Sequence, residues 1–280
     1  MHEVLRQSPA SVPREGRRLG GRSETLTTSD VPIYLEVGTK RSFATALEWP
    51  GWSRSGRDAA GAVATLAAYG SRYAAVVAPA ALKLTPPKDA SGFKITKRVK
   101  GNATTEFGAP AIGLPSDGAR LAEAELMRLE RILGACWDAL DRAAKNARGV
   151  ELRKGPRGGG RDLDKIVEHV AGAEEVYLVA LGARAPKGAG DRASKVADLR
   201  LAILAALRAR ALGLPVAEPS RTRTLWTPRF FVRRAAWHVL DHTWEIEDRA
   251  IRADLLAVPS LRMPKGKQRP SELVNEGRGP

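Results

Sequence analysis

Residues 228 to 251, PRFFVRRAAWHVLDHTWEIEDRAI, decide how this chain is read. Apolar residues recur every three or four positions, and Pro228 suits the first turn of a helix, where its missing N–H costs nothing. His238-Val239-Leu240-Asp241-His242 sits inside that helix. Residues four apart share a helix face, so both imidazoles can point at one ion. Glu245, three residues beyond His242, lies on the adjoining face, placed to orient a ligand or to act as a base. Asp241 points about a quarter-turn away.

Working outward, residues 162 to 178, DLDKIVEHVAGAEEVYL, form a second amphipathic pattern. His169 lies beside its apolar stripe of Ile166, Val170, Ala173 and Tyr177 and is expected to face inward. Three histidines of the four in the chain thus fall on two helices. Three imidazoles leave a fourth position open for water or substrate, the arrangement of a catalytic metal site. The same residues also suit plain burial, since neutral histidines are often simply packed in a core.

Two further helical patterns complete this half. One opens at Ser116 or Asp117 and runs to about Ala147, with Leu126, Leu129, Leu133, Cys136 and Leu140 inward; the other spans about Arg192 to Leu212. With helices at about Asp162 to Leu181 and Pro228 to Ile251, the spacing predicts a four-helix bundle over residues 114 to 258, a common place for metal sites built from facing helices. The glycine-rich Gly155 to Gly160 reads as a connection, because no phosphate-binding Gly-Lys-Ser/Thr or Gly-x-Gly-x-x-Gly follows a strand. No nucleophile elbow is present.

The preceding half changes character. Ile33 to Val37 and Ser42 to Leu47 flank a glycine-containing turn and predict a hairpin. Asp58 is placed to cap a helix running through Val63, Leu66 and Tyr73 to Val77, where Pro79 ends it. Phe93 to Val99 predicts another strand and Thr104 to Phe107 a further one. Residues 29 to 113 are therefore expected to form a small α+β domain. Residues 1 to 28, arginine-rich and aperiodic, and residues 259 to 280, crowded with Gly, Lys, Arg and Pro, read as tails.

The chain has 280 residues, long enough for two domains, and a net charge of +15. No run of about 18 apolar residues and no secretory signal is visible, so a cytoplasmic protein with no membrane span is expected. The single cysteine, Cys136, excludes an internal disulfide and a cysteine-based zinc site. The positive charge invites phosphate backbones, yet it is spread along the chain and aromatics are scarce, which disfavours nucleic acid as the partner.

The helical half resembles the DinB/YfiT-like metalloenzyme superfamily over roughly residues 116 to 252. The likeness rests on Ile166-Val167-Glu168-His169-Val170-Ala171-Gly172-Ala173-Glu174 and on His238-Val239-Leu240-Asp241-His242. It implies a bundle in which His169, His238 and His242 hold a divalent ion, zinc or nickel. It also implies activation of a low-molecular-weight thiol such as mycothiol or bacillithiol, for transfer to a small electrophile, or of water for its hydrolysis. A basic rim of Arg161, Lys165, Arg233 and Arg234 would then draw in carboxylate-bearing substrates.

Residues 31 to 80 resemble a HicB-like antitoxin-type domain, through Ala46-Leu47-Glu48-Trp49-Pro50-Gly51-Trp52 and the helix that follows. Trp49 and Trp52 depart from the family's turn, and no DNA-reading element is recognisable. This resemblance implies a protein partner or a homodimer contact. It leaves a rival reading, a regulatory partner-binding protein with a structural or vestigial metal site.

Overall fold

A computed structural model describes residues 30–154, 160–187, 189–214 and 225–250. The two sequence tails lie outside these residues, as does nearly all of the glycine-rich connection. Four strands come first: β1 Val31–Val37, β2 Ser42–Ala46, β3 Ser53–Gly56 and, after two helices, β4 Phe93–Lys100. Their order is β3-β2-β1-β4, with β1/β2 and β2/β3 antiparallel and β4 parallel to β1. The expected hairpin forms with Tyr34 opposite Thr45 and Glu36 opposite Phe43.

Both faces of the sheet centre are covered, so β1 and β2 are buried almost throughout. Ile33, Leu35, Ala44 and Ala46 join the core with Ala62 and Leu66 of α1 (Ala59–Ala68). The other face meets α7 (Pro228–Arg249), where Phe43 packs edge-on against Trp237 at 6.0 Å between ring centres. Asp58 caps α1 as expected, accepting from the Gly61 N–H at 2.7 Å.

The single helix expected from Asp58 to Val77 is instead two, because the backbone turns at Tyr69 before α2 (Gly70–Val77). A side chain at Gly70, the first residue of α2, would meet Pro86 and the Trp52 ring, so the helix packs closely against both there. The strand expected at Thr104 to Phe107 is a short helix, α3 (Ala103–Phe107). Asn102 accepts from the N–H groups of Thr104 and Thr105, and Thr105 returns a bond to the Asn102 N–H. That reciprocal cap overrides the strand preference of the threonines. Ser53 to Gly56, too short and polar to signal a strand, pairs with β2 all the same.

The helical region follows: α4 (Glu123–Asn146), α5 (Leu163–Leu181), α6 (Arg192–Ala211) and α7. Asp162 and Asp191 cap α5 and α6, accepting from the N–H groups of Lys165 and Ser194. The start of α4 differs from expectation. Asp117 does not cap it; a single turn of 3-10 helix at Pro115–Gly118 intervenes. The Asp117 carboxylate accepts from the Leu114 N–H at 2.7 Å and pairs with Arg233 at 2.5 Å.

Sheet and helices share one continuous core, from Trp52, Leu66 and Tyr73 through Leu133 and Cys136 of α4 to Ile203 of α6 and Ile246 of α7. Packing is therefore unbroken across the boundary read at residues 113 and 114. Polar contacts join the halves as well: Arg54 pairs with Asp241, and Arg72 with Glu247 and Asp248. No described helix is long and apolar enough to cross a membrane.

Candidate metal centre

The three histidines converge. One nitrogen from each of His169, His238 and His242 lies within 4.8 Å of the others, so this set could hold a metal ion. Ring centres are 5.1 Å apart for His169 and His238, 4.9 Å for His169 and His242, and 4.7 Å for His238 and His242. α7 supplies the i, i+4 pair and α5 supplies His169 from across the groove between the two helices.

Burial and neighbouring positive charge disfavour the protonated forms of His238 and His169. His238 is 7 % exposed, and burial, followed by the nearness of His242 and Arg234, pushes its pKa down to about 2. His169 is lowered too, first by burial and then by the charge of Arg161. Neutral imidazoles are the form that ligates metal. The Nδ1 of His238 is buried and has no hydrogen-bond partner, an uncompensated polar atom that normally costs stability.

Glu245 has a defined task. Its Oε2 lies 2.7 Å from Nδ1 of His242, and its Oε1 accepts from Nη1 of Arg249, one turn further along α7. The carboxylate thus takes the Nδ1 proton of His242 as a hydrogen bond and leaves Nε2 with its lone pair free for a ligand role. These two hydrogen bonds hold the Glu245 carboxyl below the usual range, with burial opposing them. With both oxygens engaged, Glu245 is placed to orient His242.

The expected basic rim is only partly assembled. Arg233 is 6 % exposed and locked on Asp117 beneath the Tyr34 ring, so it is a buried structural ion pair and is removed from the rim. Lys165 is exposed and pairs with Asp162, its own helix cap, at 3.1 Å. Arg161 is near enough to lower both His169 and His238, and its carbonyl accepts from Arg249 at 2.8 Å. Arg234 lies one turn before His238, its guanidinium over the rings of Trp237 (4.7 Å) and Tyr177 (5.4 Å).

Arg249 and Glu174 lie outside the set of site residues expected from the sequence. Arg249 follows Glu245 by four residues, a spacing that signals a helical ion pair. Glu174 is 2 % exposed and accepts from the Trp137 indole N–H, and burial pushes its carboxyl up to about 7. No sequence signal marks it. Cys136 is fully buried, which raises its thiol far above the ordinary range and makes it a packing residue. Trp52 is likewise core, stacked on Tyr73 at 5.6 Å.

Comparison of the chain with protein-family models, curated proteins and solved structures finds no match.

Proposed function

We propose that α4 to α7 form a DinB-like four-helix bundle whose three-histidine face holds a zinc or nickel ion, and that the protein is a metal-dependent enzyme acting on a small electrophile. The observation that carries this reading is the convergence of three imidazoles within 4.8 Å, one of them hydrogen-bonded to a carboxylate that is itself clamped by an arginine. A divalent cation with an open position lowers the pKa of a coordinated thiol or water and supplies a nucleophile at neutral pH.

The chain's own residues do the rest. Glu245 keeps the His242 proton at Nδ1, and Arg249 keeps Glu245 in place. Tyr177 and Trp237 flank His238 at 5.8 and 6.0 Å between ring centres. His169 stays partly exposed and marks the side from which a co-substrate thiol would approach.

The test is consumption of a low-molecular-weight thiol in the presence of small electrophiles. Turnover that needs added zinc or nickel and is lost in His238→Ala supports the proposal; turnover that survives that substitution removes it.

The rival reading, a partner-binding protein, is favoured by one observation. Strand β4 is exposed along most of its length, and Lys94, Lys97, Arg98 and Lys100 have no ion-pair partner among the described residues. An acidic partner bound there would dissociate as salt rises, so salt-insensitive behaviour in pull-down would count against it.

A further inference from the structure

Most of the buried and half-buried arginines among the described residues have a carboxylate. Arg54 meets Asp241, Arg72 meets Glu247, Arg200 meets Asp141, Arg229 meets Glu125, Arg233 meets Asp117 and Arg249 meets Glu245. Arg234 is the exception within α7. It is half-buried, and none of its nitrogens forms a hydrogen bond or ion pair with the described residues. Its Nη1 is sealed from solvent without a partner.

Packing fixes this guanidinium. It lies over Trp237 and Tyr177, the two rings that also wall His238. Stacking between aromatic faces satisfies the flat surfaces of a guanidinium and leaves its in-plane donors for a planar, doubly hydrogen-bonded anion. One helical turn separates Arg234 from His238, a rise of about 6 Å along α7. That is roughly the span of a four-carbon dicarboxylate.

We infer that Arg234 is the anion-binding subsite of the three-histidine face and that the small molecule used there carries a carboxylate, held by Arg234 while its other end reaches the histidines. This rests on the metal-centre reading for the second half of the statement only; the anion subsite itself needs no metal.

The probe is succinate, with its neutral diamide as control, titrated by calorimetry into the full chain, first metal-free and then with one equivalent of zinc. The metal-free parent is expected to bind succinate at least tenfold more tightly than the diamide. Arg234→Gln should lose at least tenfold in succinate affinity, and Arg234→Lys should recover part of it, with circular dichroism showing both variants folded and zinc content equal to the parent's. Equal binding of succinate and diamide by the parent, or succinate binding by folded Arg234→Gln and Arg234→Lys that matches the parent's, overturns the inference. Arg234-dependent binding by a protein that takes up no zinc would leave the subsite standing and remove the metal centre. Zinc uptake with succinate binding indifferent to Arg234 would do the reverse.

Discussion

Glu245 accepts from His242 on one oxygen and from Arg249 on the other, so replacing it with glutamine keeps the shape and removes the charge. Groups that orient a metal ligand through its second nitrogen are worth about ten- to a hundredfold in metal affinity. Glu245→Gln is expected to release zinc to a chelator at correspondingly lower chelator concentration, with an unchanged circular dichroism spectrum. Equal retention would mean that Glu245 does not orient His242 as described. Its spacing of three from His242 is legible in the sequence, and the clamp by Arg249 has the i, i+4 spacing of a helical ion pair.

Glu174 tests a different balance at the same scale. Its carboxyl titrates near 7 in the folded chain against an ordinary 4.5, so the folded state holds a proton that the unfolded chain has already released. The contribution of this protonated group is fully present below about 4.5 and is lost as pH rises through about 7. The ceiling is about 3 kcal/mol. Glu174→Gln cannot titrate, so its melting temperature relative to the parent should climb between pH 4.5 and 7 and level off above. A difference that stays flat with pH would show that Glu174 is not held protonated by burial.

At the scale of elements, α7 is where the sheet and the helices meet. Gly51, in the turn between β2 and β3, has a left-handed backbone with φ of +94°, and a side chain there would come within 3.1 Å of Ala236 and Leu240. Gly51→Ala therefore adds backbone strain and a clash at one docking point, an expected loss of about 2 to 3 kcal/mol measurable by urea unfolding. Asp117→Ala leaves Arg233 charged and buried without a partner, with an expected loss of about 3 to 5 kcal/mol. If Asp117→Ala loses less than about 1 kcal/mol, the buried pair is not what anchors the start of the helical region to α7.

The long helices were legible because periodicity and caps agree: Asp162, Asp191 and Thr227 each accept from a first-turn N–H where the sequence places a start. The misreadings have a common physical cause. Asp117 has the residue type of a cap, but its partner is Arg233, 116 residues away, and the run from Asp58 to Val77 has one helical pattern, but its backbone departs from the helix at Tyr69. Arg233 and Arg234 are neighbours of identical type. Only the fold shows that one is neutralised by Asp117 and the other is not.

For the whole molecule, the continuous core predicts that sheet and helices unfold together. Differential scanning calorimetry should give one transition whose calorimetric and van't Hoff enthalpies agree; two resolved transitions would mean that the halves are energetically separate. The positive charge enters at this scale too, because among the described residues most half-buried arginines are engaged in internal ion pairs.

The central claim is that His169, His238 and His242 form one metal centre. Elemental mass spectrometry of the full chain after reconstitution with zinc or nickel, beside the His169→Ala, His238→Ala, His242→Ala triple variant, tests it most directly. About one equivalent of metal retained by the parent and none by the folded variant is the predicted result. A parent that retains none, or a variant that retains as much, would contradict the account.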